Sequence, residues 1–566
     1  MLKLRHHLAQ GAVVFSLVGC GGGDSAETEI QEVPEADRFG GTAVVGMQAD
    51  IADMNPLTSS DAYASEIQQF VLFLPVIHYD ENLQPIPALA RSWEVNRDTT
   101  LLTFHLRDDV YWHDGVKTTA EDLLFAYEKA IDPETLFPNA AFWTHYGTAA
   151  APDSFTFTVE MRPHAEFMDP WRTFPAVPKH VLGDVPSAAM ATHPFNTREP
   201  LGNGPFRFVS HLTNQSWTFE ANPDFPKELG GRPYLDRIVF RAIPEPSTLL
   251  TELITGNIDF LTAPPPQQAS NIESAPGVRL VNYMDRTFVF IGWNQRRPFF
   301  DDVRVRRALT KGINRDAIVD AVLYGYGQVS NSTVPPFYWQ YDESAGADLT
   351  FDREAALALF AEAGYTRGAD GTLRNAAGEQ LGFTLTTNQG RQERADIAAI
   401  VQADLAEVGV AVEIQIQEFN TLLDRIQDPE SRDFDAVMIG WRTEFRIDDS
   451  DLFHCDKIDG LYQYVGMCDP RVDALLDTLP VIADRTAAIP LWQQYQRLIA
   501  DQQPYTFVYF QERTHGIREW LHNVSPDPRG DWVGLQRWYL DPSAPGRSRN
   551  AAAAGSGGAA PPPASY

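Results

Sequence analysis

Short apolar runs alternate with amphipathic segments along most of the chain, and these two patterns predict strands that alternate with helices. Thr99–Leu106 places its side chains alternately on two faces, which is typical of a half-buried strand. Thr119–Ala130 instead gathers Leu123, Leu124 and Tyr127 on one face, behind a capping Thr and two acids in the first turn. We therefore predict a strand followed by a helix in this part of the chain.

A second series of strand and helix patterns begins near residue 286 and continues to about residue 510. Its helical segments end at Gly364 and Gly409, a residue type at which helices commonly stop. The predicted strands are Thr287–Trp293, Phe383–Thr387, Val410–Gln417, Phe434–Gly440 and Thr506–Phe510, and the predicted helices include Val303–Ile313, Arg391–Val408 and Ala487–Gln502. This alternation indicates an α/β fold with more than one lobe.

The first twenty residues have the pattern of an export signal. Lys3 and Arg5 precede the mostly apolar stretch Ala9–Val18, which is too short to cross a bilayer, since a spanning helix needs about 20 apolar residues. The stretch ends in Leu17–Cys20, which resembles the lipobox of bacterial lipoproteins. We predict a signal peptide over 1–19 and lipidation of Cys20; the alternative is an ordinary secretory signal with a chance cysteine.

Both ends of the chain are predicted to lie outside the folded body. Residues 20–40 are first Gly-rich and then acidic, which is typical of a flexible tether, and residues 542–566 are a low-complexity Ala- and Pro-rich segment predicted to be disordered. The whole chain of 566 residues is 44% hydrophobic and 21% charged, as expected of a globular protein. Its formal net charge of −31 argues against nucleic-acid partners and anionic membrane surfaces.

The chain contains three cysteines, too few for a disulfide-dense scaffold. With Cys20 assigned to lipidation, Cys455 and Cys468 remain, and export would place both in an oxidising compartment. Twelve residues separate them, including two glycines, so a loop closed by a disulfide is sterically easy. We predict this disulfide, and two buried thiols are the alternative.

Several short motifs occur in an order that resembles the family 5 extracellular solute-binding proteins, the peptide- and nickel-binding components of ABC importers. Each motif is weak alone, but together they extend over about residues 41–541. The motifs are Pro87–Glu94, Trp112–Gly115, Gly202–Phe206, Asn222–Asp224, Phe300–Leu309 and Asp469–Leu476. The resemblance implies a two-lobed periplasmic-binding-protein fold of the α/β class, with a hinge and an extra subdomain in the N-terminal lobe.

This resemblance also implies a domain order. Lobe I would comprise residues 41–55 and 186–285, the extra subdomain 56–185, and lobe II 286–505, after which the chain returns to lobe I over 506–541. The crossings are expected near 285–294 and 504–511, where the sequence is β-rich and aromatic. A hinge of this kind needs only a few residues to change their backbone angles.

No catalytic motif stands out in the sequence. It carries no H-E-x-x-H, G-x-S-x-G or Walker A pattern, and its histidines are scattered. We therefore predict a binding protein rather than an enzyme, with no cofactor and no metal.

The segment after the predicted strand Phe434–Gly440 is the first candidate ligand site. Family members that bind peptides carry G-W-x-x-D here, and the acid holds the ligand's amine; the resemblance assigns that role to Glu444. The alternative is a solvated surface Glu, in which case Asp448, Asp449 or Asp451 would take the role. Trp441 is expected either to wall the cleft or to pack in the core.

The second candidate site lies before the predicted helix Arg391–Val408. Dipeptide-binding family members carry a carboxylate-binding Arg where this chain has Asn388, and Arg391 follows three residues later. Without that Arg, longer peptides or a non-peptide ligand are favoured over dipeptides; Arg391 alternatively starts the helix or lies on the surface. Asn55, after the first strand, either lines the cleft or forms a turn.

We thus expect a monomeric, lipid-anchored periplasmic protein of the bacterial cell envelope, which binds oligopeptides between two lobes and delivers them to an ABC permease. The alternatives are the same fold with an oligosaccharide, metal chelate or opine as ligand, and a sensor or chaperone that works without a transporter.

Overall fold

A computed structural model describes residues 33–430 and 432–548 of the chain. The strands are β1 Thr42–Met47, β2 Ile77–Tyr79, β3 Pro85–Pro87, β4 Ala90–Val95, β5 Leu101–Leu106, β6 Tyr146–Asp153, β7 Thr156–Met161, β8 Phe206–Leu212, β9 Ser216–Ala221, β10 Arg237–Ala242, β11 Phe260–Thr262, β12 Val278–Trp293, β13 Gly327–Gln328, β14 Thr366–Arg367, β15 Leu373–Arg374, β16 Gly382–Asn388, β17 Ala411–Gln417, β18 Ala436–Arg442, β19 Tyr505–Arg518, β20 Leu521–His522 and β21 Tyr539–Leu540.

The helices surround these strands. They are α1 Glu35–Arg38, α2 Ala62–Ile67, α3 Ala120–Ile131, α4 Asp169–Thr173, α5 Lys179–Leu182, α6 Pro246–Thr255, α7 Ala269–Glu273, α8 Val303–Gly312, α9 Arg315–Leu323, α10 Arg353–Glu362, α11 Gln392–Glu407, α12 Phe419–Gln427, α13 Ser450–Phe453, α14 Pro470–Thr478 and α15 Arg485–Gln502. A short π-helix, Gln68–Leu72, continues α2. The predicted strand around residue 103 and the predicted helix after Thr119 are both confirmed as β5 and α3.

One eleven-stranded sheet runs through the molecule in the order β17-β16-β18-β12-β19-β11-β1-β10-β9-β8, with β13 pairing with β19. The strands β12 and β19 are long and antiparallel, and each belongs to both halves of the sheet. Their pairing is regular up to Met284 and resumes at Phe288, opposite Phe510, after a register shift. Because a bulge bends and twists a strand pair locally, we take this position as the boundary between the two lobes.

Each lobe has its own core around its half of the sheet. Lobe II packs α8, α9 and α11 against the sheet through residues such as Leu309, Ile318 and Leu405. Lobe I packs α6 and α7 through Leu253 and Ile272. The predicted two-lobed α/β fold is confirmed.

The extra subdomain is a four-stranded antiparallel sheet, β4-β5-β7-β6, covered by α3. Inward residues of β5 and β7, including Phe104 and Phe157, meet a cluster of aromatic rings around Trp171. The helix α3 begins where the Thr119 backbone N–H donates to the Asp122 carboxylate at 2.8 Å, which satisfies a donor that the helix leaves unpaired. Our sequence-based predictions included β5 and α3 but not β6 and β7.

The two segments predicted to be unstructured extend too far into the folded part of the chain. Residues 33–40 include α1, and residues 542–548 include a 3₁₀ turn at Pro545–Arg547. The two segments hold each other, because the Arg547 guanidinium donates to the carbonyls of Phe39 and Asp37. These residues were predicted to be unstructured because few of them are apolar. The hydrogen bonds by which Arg547 orders the two segments leave no apolar pattern in the sequence. The predicted signal peptide with Cys20, and the remainder of both predicted end segments, lie outside the described residues.

Cys455 and Cys468 are joined by a disulfide in the structure. Asp473 accepts a hydrogen bond from the Cys455 backbone N–H at 3.0 Å, so it fastens this loop to α14. Within residues 33–430 and 432–548, no helix combines the length and the apolar character that a bilayer crossing requires.

Candidate ligand-binding cleft

Three connected chambers lie between the lobes, and both lobes contribute to their walls. Chamber A, of about 370 Å³, is lined by Ser59, Glu66, Arg172, Arg286, Arg442 and Glu444 among others. Chamber B, of about 320 Å³, is lined by Glu66, Asp285, Arg391, Arg394, Arg442 and Arg513 among others. Chamber C, of about 670 Å³, is lined by Tyr63, Pro264, Tyr324, Arg391 and Glu393 among others. We call the three chambers together the cleft.

Chambers A and B share Glu66 from α2 and Arg442 from β18, which face each other across the cleft. Their charged atoms lie 4.0 Å apart, and Arg442 lies 3.8 Å from Asp285 on the hinge strand β12. Neither distance is a hydrogen bond, and the Arg442 Nε is buried without a partner among the described residues. Arg442 therefore keeps N–H donors that a ligand's oxygens can use.

Glu66 is tied to a buried ionic group behind the cleft. Its carboxylate accepts a hydrogen bond from the Asp531 backbone N–H at 2.9 Å and lies 3.9 Å from Arg513. Asp531 in turn accepts from Arg513 at 2.6 Å and from the Tyr283 hydroxyl at 2.8 Å. Burial raises the pKa of Glu66, and the nearby Asp531 carboxylate adds to this effect. The group joins both hinge strands to the floor of the cleft.

The strand β18 presents a row of cleft-facing positions. Because side chains alternate along a strand, Gly440 and Arg442 fall on one face and Trp441 on the other, and Glu444 follows two residues after the strand ends. Val289 and Thr287, which pair with Gly440 and Arg442 on β12, line chamber B as well. The end of β18 therefore carries a positive and then a negative side chain along the cleft.

Glu444 lines chamber A, as the resemblance suggested. Its carboxylate lies 3.2 Å from the Arg286 guanidinium, and its side chain is 52% exposed, so a ligand can reach it. Arg286 is 12% exposed and lies over the Phe445 ring at 4.5 Å, and Arg172 approaches the same ring at 4.3 Å. Burial tends to lower the pKa of Arg286, but the surrounding acidic groups, Tyr338 and Glu444 first, raise it overall.

The acids that the sequence offered as substitutes for Glu444 have other environments. The buried Asp449 carboxylate accepts hydrogen bonds from Thr333 at 2.5 Å and Tyr495 at 2.7 Å, and burial raises its pKa to about 6. Asp451 faces Lys457 at 3.6 Å. Asp448 is exposed and accepts from the backbone of the residue two places on. Of these four acids, Glu444 lines chamber A.

Two other predicted ligand residues are engaged within the protein. Trp441 is half-buried, and its ring meets Tyr462 edge-on at 5.4 Å. Asn55 is 0% exposed; its amide donates to Asn196 at 3.1 Å, and its side-chain oxygen accepts from the Leu57 backbone at 3.0 Å. Both side chains have the environment of packing or turn residues, which was the alternative that the sequence left open.

At the end of β16, Asn388 is buried and its side-chain oxygen accepts a hydrogen bond from Arg394. Arg391, at the start of α11, is exposed and lines chambers B and C, with Glu393 at 3.7 Å. Arg394 lines chamber B too, and the sequence reasoning missed it. Its spacing was the available signal, because the side chain one turn beyond a helix start turns back toward the preceding strand end.

A two-lobed α/β fold whose lobes meet around a charged cleft defines the class of solute-binding proteins. The hinge, the extra subdomain and the walls contributed by both lobes agree with this class. Proteins of this class bind solutes for transport and are not enzymes.

The chain belongs to the bacterial extracellular solute-binding proteins of family 5, whose model matches residues 84–456. It is 29% identical over 529 residues to the oligopeptide-binding protein AppA of Bacillus subtilis, covering 93% of this chain and 96% of AppA. It is 26% identical over 467 residues to the dipeptide-binding protein of Escherichia coli, covering 79% and 84% of the two chains.

Solved structures show the same fold. The structure of Bacillus subtilis AppA in complex with a nonapeptide superposes with a TM-score of 0.70 at 30% identity, covering 89% of this chain and 99% of AppA. The substrate-binding protein CtaP of Listeria monocytogenes superposes with a TM-score of 0.78 at 22% identity, covering 89% and 100%.

Proposed function

We propose that this chain is a lipid-anchored peptide-binding protein of the bacterial envelope, which captures oligopeptides between its lobes and delivers them to an ABC permease. The observation that supports it most is the cleft, where both lobes line chambers of peptide size and present carboxylates and guanidiniums. A peptide carries the complementary groups, namely an ammonium, a carboxylate and a row of amides. Similarity to the oligopeptide-binding AppA favours the same ligand class.

Glu444 is the proposed anchor for the ligand's amine. A carboxylate has about four lone-pair positions, so it accepts hydrogen bonds from an ammonium while it keeps Arg286. The cations Arg391 and Arg394, with Asn388 beside them, are the proposed environment of the ligand's acidic end. Trp441 and Asn55 support the cleft from behind, through packing and a turn.

Closure of the lobes couples binding to delivery. The subdomain and lobe II already meet outside the cleft, where Arg485 binds Glu166 through two hydrogen bonds of 2.8 and 2.7 Å. The Ala165 backbone N–H also donates to the Pro480 carbonyl at 2.7 Å. A peptide that contacts both walls favours this closed arrangement by its differential affinity, and the closed form is the one we propose to dock on the permease.

Native mass spectrometry of the protein purified from its own cells would test the ligand class. We expect co-purified masses that fragment as peptides, and titration calorimetry should show saturable peptide binding. Oligosaccharides, a nickel–histidine chelate and an opine serve as comparison ligands. Binding of one of these together with no binding of any peptide would refute the proposal. Retention of the protein in the membrane fraction of cells would test the anchor.

A further inference from the structure

A fourth pocket lies where the extra subdomain meets lobe I, and we call it the junction pocket. Its volume is about 180 Å³. Most of its wall is apolar, and the contributing side chains include Phe70, Phe73 and Ile86 of the subdomain and Phe225 and Val533 of lobe I. An apolar cavity of about 150 Å³ is large enough to bind benzene, so the junction pocket can hold one aromatic ring.

The junction pocket adjoins the cleft, although lobe II contributes nothing to its wall. Gln69, Arg172 and Arg529 line both this pocket and chamber A. The wall between the two spaces is thus made of side chains rather than of backbone alone. A molecule in chamber A therefore has a polar side-chain boundary next to an apolar recess.

The backbone of this wall has an unusual conformation. Gln69 and Phe70 belong to the short π-helix, whose last bond runs from the Phe73 backbone N–H to the Gln68 carbonyl at 2.9 Å. A π turn contains one residue more than an α turn, so it changes which side chains of the helix face the pocket. Such turns are rare and occur frequently at functional sites.

Two polar side chains of the pocket have donors without a partner. The Tyr79 side chain is 4% exposed, and its hydroxyl makes no hydrogen bond to any residue within 33–430 and 432–548. Arg172 is also buried, and its Nε donates to Asp169 at 3.3 Å. The two terminal nitrogens of Arg172 make no hydrogen bond to the described residues. Because an unpaired buried donor is costly, an occupant with a hydrogen-bond acceptor is favoured.

His78 adds an acceptor to the same wall. Its ring stacks on that of Phe70 at 5.7 Å and makes no hydrogen bond within the described part of the chain. Burial first, and then the charges of Arg529 and Arg172, lower the pKa of His78 to about 4. The imidazole is therefore neutral at pH 7, and one of its nitrogens can accept a hydrogen bond.

Both guanidiniums of the pocket already have a carboxylate. Arg172 lies 3.3 Å from Asp169, and Arg529 lies 2.5 Å from Asp527. The site has no uncompensated positive charge, so it does not require an anion. A hydroxyl group satisfies the remaining needs, since it accepts from a donor and donates to the imidazole.

From these observations we infer that the junction pocket binds a hydroxylated aromatic ring, with the hydroxyl directed to His78, Tyr79 and Arg172. Two sources can supply such a ring. One is a tyrosine side chain of a peptide held in chamber A, and this source rests on the proposed function. The other is a free phenol, which does not depend on that function.

The experiment uses one probe for each source. Free p-cresol is titrated at millimolar concentration by ligand-detected NMR. Pentaalanine and its variants with one tyrosine or one phenylalanine at each of the five positions are titrated by calorimetry. The same titrations are made on wild type, His78→Phe, Ile86→Trp and the control Ile254→Trp.

The variants separate the ring from its hydroxyl. His78→Phe removes the acceptor and keeps an aromatic ring against Phe70. Ile86 is 38% exposed at the rim, and tryptophan there fills the pocket. Ile254 is 42% exposed on α6 and lines neither the pocket nor the cleft, so the same substitution there is a matched control. Thermal unfolding confirms that each variant folds.

We expect saturable p-cresol binding to wild type and to Ile254→Trp, and none to Ile86→Trp. At one position, tyrosine should tighten the peptide about 20-fold over alanine, or about 1.8 kcal/mol. Phenylalanine at that position should bind about fivefold more weakly than tyrosine, because it lacks the hydrogen-bonded hydroxyl. His78→Phe should abolish this difference between tyrosine and phenylalanine. Binding of p-cresol with no tyrosine preference would identify a free phenol as the ligand.

Two results would overturn the inference. The first is no p-cresol binding together with no tyrosine preference at any position. The second is binding that Ile86→Trp and His78→Phe both leave unchanged, since the ring would then lie elsewhere. Absence of binding for every peptide would instead refute the proposed function, and the p-cresol titration would still test the pocket.

Discussion

Replacing Glu444 by glutamine removes the charge of the proposed amine anchor and leaves its shape. In the structure this carboxylate is 52% exposed and lies 3.2 Å from the Arg286 guanidinium, whose side chain is 12% exposed. Removal of one partner from a fully buried ion pair costs about 3–5 kcal/mol of binding free energy, and the exposure of Glu444 to solvent reduces that cost. We expect a loss of about 1.4–2.8 kcal/mol, or 10- to 100-fold, for a peptide with a free amine.

The assay compares two ligands on two proteins. A tetrapeptide with a free amine and its N-acetylated form are titrated into the wild type and Glu444→Gln by calorimetry. The acetylated peptide has no ammonium to lose, so its affinity should change less than threefold. Asp448→Asn serves as the matched control, because it removes an exposed acid of the same loop that lies outside the three chambers.

The substitution also acts on the protein itself. Arg286 is left without its 3.2 Å carboxylate neighbour, so Glu444→Gln should unfold at a lower temperature even without ligand. Equal losses for the free and acetylated peptides would show that the variant damages the cleft through Arg286 rather than through the ligand's amine. No loss for either peptide would refute the role of Glu444 altogether.

Three further predictions concern other parts of the molecule. Cys20→Ser should move the protein from the membrane to the soluble envelope fraction, and continued membrane association would reject the lipid anchor. Arg485→Met removes the two hydrogen bonds to Glu166, so the population of the closed form should fall. Peptide binding should weaken about fivefold, and the radius of gyration in solution scattering should increase. Unchanged scattering would show that this contact does not stabilise the closed form. Burial raises the pKa of Asp449 from 3.8 to about 6, so its ionised form destabilises the folded protein as pH rises through that range. Asp449→Asn should therefore raise the free energy of unfolding by up to about 3 kcal/mol at pH 7 and change it little at pH 4. Urea unfolding at the two pH values would measure both differences.

Much of the fold follows from local sequence patterns. The alternation in β5 and the capped stripe of α3 predicted both elements, because a half-buried strand and a surface helix leave different periods in the sequence. The edges of the folded body did not follow, since Arg547 orders its partners through carbonyl oxygens that no residue pattern marks. The strand β7 was missed although its residues alternate between polar and apolar, whereas β6 is mostly exposed and forms only through its pairing with β7.

Some cleft residues could likewise be predicted from the sequence, and others could not. Glu444 was accessible because it closely follows a recognisable strand and falls in a family motif. Arg394 and Glu66 were not, because their position depends on how α11 and α2 meet the strand ends of β16 and β18 in space.

The arrangement of charges indicates how the cleft can both close and release its ligand. The Glu66 and Arg442 charges face each other across the lobes at 4.0 Å, which is close enough to attract but too long for a hydrogen bond. Glu66 holds its own partners in lobe I, so Arg442 can turn its donors to a ligand without leaving a bare carboxylate behind. Under the proposed function, a bound peptide would replace this long contact with hydrogen bonds of its own, so no hydrogen bond between Glu66 and Arg442 has to break. The β12–β19 register shift is the proposed hinge, and a ligand that contacts both lobes shifts the population by its differential affinity for the closed form.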